Sequence, residues 1–208
     1  MAQLGFCMYI AHSGCSRMLD PLMVEARQVI IVGVYPTSFV FSGPGSPPLV
    51  RLAHLLDHIL PENVGVHLLP FGPSSGDWGF APDDWFAVRP DLGEWRDVTR
   101  LAHMRRLVVD GVYNHVGIGH AWARRFFADP SANQPIHAYE DDRDLVCPRS
   151  PRGGPVLRKR KIVGKVWQVW QTFSDSAVDL RLDSPEVIAD IGRHLDLLAS
   201  VGGWGVRL

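Results

Sequence analysis

Several features that are scarce in this chain of 208 residues narrow what it can be. It has three cysteines, Cys7, Cys15 and Cys147, an odd and sparse set that argues against a disulfide framework and fits a reducing compartment. The formal net charge is −1, so nothing pulls the chain as a whole towards nucleic acid or an anionic membrane. No stretch reaches the roughly 18 apolar residues of a membrane helix. We therefore expect a cytoplasmic protein that binds neither nucleic acid nor membrane.

The composition is otherwise that of a folded globular protein. Hydrophobic residues make up 46% and charged residues 21% of the chain, which argues against disorder. Seven Trp, nine Phe and nine His stand out, because aromatic faces and imidazoles are common in sites that bind sugars.

Four short apolar runs have the pattern of parallel strands. They are Gln28–Tyr35, Val64–Leu69, Leu107–Val112 and Gly205–Leu208. The first is a continuous β-branched run, which is typical of a strand buried on both faces.

Helical stripes lie between these runs. One contains Leu49, Leu52, Leu55, Leu56 and Ile59, with Ser46 as the expected N-cap and Pro47 at the first helical position. A second places Val98, Leu101 and Met104 on one face, with Asp97, Arg100 and Arg105 pointing elsewhere. A third begins at Ser184-Pro185-Glu186 and contains Val187, Ile191, Leu195 and Leu198.

The order of these elements is strand, helix, strand, helix, strand, a long irregular stretch, helix, strand. This order predicts an α/β fold: the N-terminal half of a (β/α)8 TIM barrel with an inserted subdomain after the third strand. The expected boundaries are 1–27 for an unassigned segment, 28–115 for the first part of the barrel, 116–182 for the subdomain and 183–208 for the continued barrel. Within the subdomain, Trp122, Trp167 and Trp170 are expected to pack, and Arg158–Lys161 is expected to be a solvated loop.

Functional groups in such barrels gather in the loops at the carboxyl ends of the strands, where Asp77, Phe80 and His115 are placed. Asp77 alone reads equally well as a turn residue, but the adjoining Trp78-Gly79-Phe80 favours a site. His115 alone is more typical of a buried, hydrogen-bonded histidine, and its position at a strand end beside Asn114 favours a site instead.

The same segments match a known family. They include His67-Leu68-Leu69-Pro70-Phe71, Ser74-Ser75-Gly76-Asp77-Trp78-Gly79-Phe80, Leu92-Gly93-Glu94-Trp95-Arg96-Asp97-Val98, Asp110-Gly111-Val112-Tyr113-Asn114-His115, Trp170-Gln171-Thr172-Phe173, Val178-Asp179-Leu180 and Gly205-Val206-Arg207-Leu208. In these motifs and their order, the chain resembles the α-amylase superfamily of glycosidases and transglycosidases, and most closely its sucrose phosphorylase branch.

The resemblance implies a retaining mechanism, in which one carboxylate attacks the anomeric carbon and a second carboxyl group acts as acid and then base. In the family the nucleophile follows the Arg-Leu of the fourth strand, and here Arg207 and Leu208 are the last residues. The acid/base lies on a later strand. No catalytic carboxylate is therefore expected within residues 1–208, and the supporting residues would be Arg207, which holds the nucleophile ionised, and Asp110, which orients Arg207.

The resemblance also assigns a substrate-binding half of the site. Asp77 would accept hydrogen bonds from glucosyl hydroxyls, Phe80 would form an apolar wall, and His115 would hydrogen-bond a ring hydroxyl. The expected partner is sucrose or a related α-glucoside, with phosphate as a candidate acceptor. No cofactor is expected. No metal is expected either, because no cluster of further oxygen ligands accompanies Asn114 in the sequence.

The sequence leaves three hypotheses about the function open. The leading one is a glucoside phosphorylase or related transglucosidase, although Cys147-Pro148-Arg149 stands where the branch tends to carry Arg-Pro-Arg. The others are an α-glucoside hydrolase of the same family and a non-catalytic sugar-binding remnant. The 208 residues alone are expected to be inactive and poor at folding independently, because four parallel strands leave both sheet edges unpaired.

Overall fold

The computed structural model describes residues 7–10, 30–38, 45–131, 135–143, 149–150 and 153–208, with the backbone alone for 7–10. The chain divides into two compact units. The first comprises Met1–Leu69, Asp91–Asp110 and Val201–Arg207, and the second comprises Pro70–Pro90, Gly111–Ser200 and Leu208. The domain boundaries expected from the sequence remain a prediction.

The described residues form ten strands and four α-helices, with a short 3-10 helix at Asp77–Gly79. In chain order these are β1 (Cys7–Ile10), β2 (Ile30–Val34), α1 (Pro48–Ile59), β3 (Gly65–Leu68), α2 (Trp95–Met104), β4 (Leu107–Asp110), β5 (His115–Gly117), α3 (Ala121–Ala128), β6 (Ala138–Glu140), β7 (Leu157–Ile162), β8 (Lys165–Trp170), β9 (Ala177–Asp179), α4 (Pro185–Ser200) and β10 (Gly205–Arg207).

The first unit contains one sheet, whose order among the described residues is β1-β2-β3-β4-β10. The last four strands are parallel, which confirms the strands expected from the four apolar runs. The expectation that both edges are unpaired is wrong at one edge, because β1 pairs antiparallel with β2. The backbone of β2 thus hydrogen-bonds to part of the segment that the apolar pattern left unassigned. The rest of that segment lies outside the described residues.

Burial in this sheet is uneven. All four residues of β3 are buried, whereas in β2 only Val34 is buried and Ile30 is 46% exposed. The expectation that the first run is buried on both faces is therefore wrong, since the described residues cover β2 less completely than β3.

The start of α1 differs from the sequence prediction. The N-cap is Pro47 rather than Ser46, and the helix begins at Pro48. A residue before proline is sterically kept out of the helical region, so Pro47 has an extended ψ of 152° and cannot be the first helical residue. Within the predicted stripe, Leu49, Leu52 and Leu56 are buried, whereas Ile59 at the end of the helix is 53% exposed.

Helix α2 buries Val98 and Leu101 of its predicted apolar face, while Met104 is half-buried, and it also buries Asp97, which the helical spacing placed elsewhere. The Asp97 carboxylate accepts a hydrogen bond of 2.9 Å from the Glu94 backbone N–H, as half of a capping box. An acid three residues after the N-cap is therefore turned back onto the helix end rather than into solvent.

The second unit holds α4, whose buried residues are Val187, His194 and Leu198. Leu195 belonged to the expected apolar face but is 40% exposed. His194 takes the inner position because its Nδ1 lies 2.8 Å from the Tyr113 hydroxyl, so that the imidazole has a polar partner inside the core.

The stretch expected to be irregular contains small sheets. Strand β5 pairs with β9, and β6, β8 and β7 form an antiparallel sheet. The basic run Arg158–Lys161 lies in β7, so its prediction as a loop is wrong: it alternates along a strand that pairs with β8. Trp122 is 4% exposed, as expected of a packing residue. None of the helices within the described ranges is both long and apolar enough to cross a bilayer.

Candidate functional site

The loop that carries Asp77 and Phe80 is closed on itself. The Ser74 hydroxyl lies 2.8 Å from each of the carbonyl oxygens of Gly76 and Ala81, and the Phe80 N–H donates to the Asp77 carbonyl over 2.9 Å. Within this loop, Asp77 and Trp78 have positive φ values of 52° and 56°. Such left-handed backbone costs on the order of 1–3 kcal/mol at a non-glycine residue, and the surrounding hydrogen bonds hold it in place. Asp77 is thereby presented, half-buried, in a fixed turn.

Two glycines let this loop pack closely. A Cβ on Gly79 would lie 2.6 Å from the Cβ of Pro70, at a φ of 97°. A Cβ on Gly76 would lie 2.7 Å from the Ser176 hydroxyl, so the loop rests directly on the turn that follows Phe173.

His115 is the first residue of β5 and is 4% exposed. Its Nε2 lies 2.6 Å from the carbonyl oxygen of Phe80, and its Nδ1 lies 2.6 Å from the side-chain oxygen of Asn114. The ring stacks on Phe173, with 4.3 Å between centroids and 28° between planes. His115 therefore joins the Phe80 loop to Phe173, with both ring nitrogens in contact with protein oxygens.

Phe173 is held by its neighbours. Asp179 is paired with His115 in the register of β5 and β9. Its carboxylate accepts hydrogen bonds from the Thr172 backbone N–H at 3.1 Å and from the Thr172 hydroxyl. Sequence reasoning did not include Phe173 among the site residues. The signal that could have found it is its place in the Trp170–Phe173 motif, directly after Thr172.

In the first unit, the Asp110 carboxylate lies between two cationic or polar side chains. Arg207 donates to one Asp110 oxygen over 2.7 Å, and the Nε2 of His67 lies 3.0 Å from the other. The Asp110 side chain is 4% exposed and that of Arg207 is 50% exposed. The expected contact between Asp110 and Arg207 is thus present.

His67, which was not among the predicted site residues, is the second partner of Asp110. The register of the strands explains both contacts. Arg207 is paired with Asp110 between β10 and β4, and His67 is paired with Val108, which places it diagonally from Asp110 on the same face. The strand register, which an apolar pattern does not specify, was the missing signal.

The structure therefore brings the predicted site residues into two groups. Asp77, Phe80 and His115 lie in the second unit, where Phe80 and His115 are in contact. Asp110 and Arg207 lie in the first unit. Their convergence on one site, and the role of each, remain predictions.

A buried cluster of aromatic rings and imidazoles also lies in the second unit. Burial lowers the pKa of His194 to about 4 and raises the pKa of Tyr113 to about 12. Burial also lowers the pKa of His120, although Asp84 and Asp83 nearby act in the opposite direction. The Trp85 ring is nearly perpendicular to the rings of both Tyr113 and Trp122, at centroid distances of 5.3 and 5.6 Å. Burial therefore favours the neutral forms of Tyr113, His120 and His194.

Among the described residues, no group of three or more His, Cys, Asp or Glu side chains is arranged to hold a metal ion. The predicted motif Cys147-Pro148 lies outside the described residues. The next residue, Arg149, forms an isolated antiparallel β-bridge with Pro155.

The relatives of this chain are enzymes that act on glucosides. Over 170 residues it is 36% identical to the glucosylglycerate phosphorylase of Spirochaeta thermophila, a match covering 81% of this chain and 29% of that protein. It is 30% identical to the sucrose phosphorylase of Streptococcus mutans, over 69% of this chain and 32% of that protein. No protein-family model matches the chain.

Solved structures show the same fold. The sucrose 6F-phosphate phosphorylase from Thermoanaerobacter thermosaccharolyticum superposes with a TM-score of 0.73 at 24% identity, over 86% of this chain and 38% of that one. An isomaltulose synthase mutant from Erwinia rhapontici, in complex with its natural substrate sucrose, superposes with a TM-score of 0.71 at 25% identity, over 85% of this chain and 34% of that one. These matches confirm part of a TIM barrel as the fold class. The chain spans about a third of the length of the relatives it matches.

Proposed function

Because the chain belongs to the α-amylase superfamily, with the sucrose and glucosylglycerate phosphorylases as homologues, we propose that it supplies the glucosyl-binding part of a retaining transglucosidase. The donor would be sucrose or a related α-glucoside, and phosphate would be the acceptor. The three sparse cysteines support a cytoplasmic location for this reaction.

The observation that carries this proposal is the contact of His115 with both the Phe80 loop and Phe173. It fixes an apolar ring next to the turn that presents Asp77. A carboxylate offers about four lone-pair sites to neighbouring sugar hydroxyls, and an aromatic face suits the C–H face of a pyranose. Because both nitrogens of His115 contact protein oxygens, we propose that it first positions Phe80 and reaches a sugar hydroxyl only if one contact is exchanged.

In the first unit, Arg207 and Asp110 would support a nucleophile that follows Leu208. A guanidinium held by a buried carboxylate has a fixed direction, and a fixed positive charge favours an ionised neighbour. His67 would hold the second oxygen of Asp110.

We further propose that residues 1–208 alone do not catalyse glucosyl transfer. A retaining mechanism needs two carboxyl groups about 5–5.5 Å apart. Two acidic residues outside the motifs, Asp83 and Glu186, already have other partners. Asp83 accepts a hydrogen bond from the Ser75 hydroxyl, and Glu186 accepts hydrogen bonds from Trp122 at 2.8 Å and Arg125 at 3.0 Å.

A chimera tests the function directly. Residues 28–208 would replace the matching segment of the Spirochaeta thermophila phosphorylase, whose remaining length supplies the catalytic carboxylates. With sucrose and phosphate, we expect formation of glucose 1-phosphate, measured by an enzyme-coupled assay. Free glucose released at a rate independent of phosphate would support the hydrolase instead. A folded chimera that turns over neither sucrose nor other α-glucosides would support the non-catalytic remnant.

A further inference from the structure

Strand β7 presents two arginines side by side on one face. Side chains alternate along a strand, so Arg158 and Arg160 share a face while Lys159 and Lys161 point to the other. The guanidinium nitrogens of Arg158 and Arg160 lie 3.5 and 3.9 Å from the same carboxylate oxygen of Asp175. Lys159 instead donates to the backbone carbonyl of Asp142 over 2.7 Å. The strand therefore directs two positive charges to one point.

A buried amide fixes the direction of Arg160. Its Nε and Nη2 both donate to the side-chain oxygen of Gln171, at 3.1 and 2.7 Å. Gln171 is 2% exposed, and its own amide N–H donates to the carbonyl oxygens of Ala177 and Asp175 at 2.8 and 3.2 Å. Since Gln171 is neutral, it orients the guanidinium without neutralising its charge, which is the arrangement of a preorganised anion-binding group.

Arg158 completes the pair. Its Nε is buried and has no hydrogen-bond partner among the described residues, and its guanidinium lies against Gly154. The side chain is 33% exposed, so part of it faces solvent.

The partner of both arginines is exposed. The Asp175 side chain is 75% exposed, and an ion pair of that kind contributes little to stability because solvent screens it. Among the described residues, Asp175 is the one carboxylate paired with these two arginines, and it balances one of their two positive charges. An anion from solution can therefore take the position of this carboxylate at small cost.

The arginine pair is also linked to the candidate sugar site. Gln171 is followed by Thr172 and Phe173, and Phe173 stacks on His115. We propose that Arg158 and Arg160 bind the anionic group, phosphate or carboxylate, of an acidic acceptor, and that Asp175 occupies this position when the acceptor is absent. The assignment to an acceptor rests on the proposed function; the binding of an anion does not.

The test uses the 208-residue chain and two probes, inorganic phosphate and D-glycerate, titrated at constant ionic strength. Binding is followed through the NMR signals of the arginine Nε–H groups. Arg158→Gln and Arg160→Gln should each weaken binding by about 5-fold or more, because each removes a charge-assisted donor from a partly exposed site. Asp175→Asn should tighten binding by about 2-fold or more, because it removes a like charge. Lys161→Gln is the matched control, with the same loss of charge on the other face of β7, and should leave the affinity nearly unchanged.

The probes distinguish the two sources of the anion: saturable binding of phosphate alone supports a phosphate acceptor, and of glycerate alone a carboxylic acid acceptor. An equal loss in Lys161→Gln, or unchanged binding in Asp175→Asn, would overturn the site, because either would mean non-specific attraction. Because Asp175→Asn predicts a gain, a folding defect in the arginine variants cannot produce the expected pattern. Sucrose binding on the same samples separates the two proposals: loss of anion binding alone leaves the proposed function standing.

Discussion

The imidazole of His115 stacks on the phenyl ring of Phe173, with 28° between the ring planes and their centroids 4.3 Å apart. The same imidazole contacts the carbonyl oxygen of Phe80, so one buried side chain connects three segments that are far apart in the sequence. His115 therefore sets the distance between the Phe80 loop and Phe173, and it hydrogen-bonds to that loop.

Replacing His115 should lower the stability of the chain. His115→Phe keeps a ring against Phe173 but leaves the Phe80 carbonyl and the Asn114 amide without their partner. Losing the hydrogen bonds of a buried group typically costs about 1–3 kcal/mol, so the urea midpoint should fall. His58→Gln, at an exposed position of α1, is the control and should unfold like the parent chain. A His115→Phe protein that is as stable as the parent would contradict the role of His115 in connecting these segments.

Asp77→Asn should weaken binding of sucrose without lowering stability. Asn adopts left-handed backbone more readily than other non-glycine residues, so the turn at a φ of 52° is retained while the carboxylate is lost. Losing a charged hydrogen bond of about 1.5–3 kcal/mol corresponds to about 10- to 100-fold weaker binding, measurable by calorimetry. Trp78→Asn is the control in the same turn. Equal affinities of Asp77→Asn and the parent would remove Asp77 from the site.

The order of strands and helices along the chain could be predicted from the sequence because it depends on local signals. Apolar runs and helical stripes, each bounded by Pro or Gly, specify strands and helices without knowledge of their partners. The position of His194 rather than Leu195 in the core of α4 could not be predicted this way. It depends on a hydrogen bond with Tyr113, a residue distant in the sequence, and periodicity treats histidine as a surface residue.

The candidate site was predictable to a similar depth. The loop motif pointed to Asp77 and Phe80, and the strand end pointed to His115. Phe173 and His67 were missed because their contacts with His115 and Asp110 depend on which strands pair and in which register. The register of β5 with β9 is needed to bring Asp179, and with it Thr172, next to His115. The register of β3 with β4 is needed to place His67 opposite Val108. The basic run in β7 was misread because four consecutive charges resemble a loop until alternate faces are distinguished.

The contacts of Asp110 predict energetic coupling between His67 and Arg207. Arg207→Gln should destabilise the chain by about 1–2 kcal/mol, less than for a fully buried pair because the arginine is half-exposed. His67→Gln removes the other partner of the same carboxylate. Because both changes act on one group, the double variant should depart from additivity by about 0.5 kcal/mol or more in a urea-based mutant cycle. Strict additivity would show that the carboxylate does not link the two side chains.

The buried imidazole of His194 predicts acid-sensitive folding. Its pKa falls from 6.5 to about 4 in the folded chain, so between these values the unfolded state binds more protons. The free energy of unfolding should therefore be highest above pH 6.5, decrease as the pH falls and level off below about 4, with a total loss of up to about 3 kcal/mol from this residue. His120, whose pKa is also lowered by burial, acts in the same direction. Urea titrations across this pH range measure the slope. His194→Gln should flatten it, even though the variant is less stable overall because Tyr113 loses its partner, while His58→Gln should retain it. An unchanged slope in His194→Gln would mean that this imidazole is not held neutral by burial.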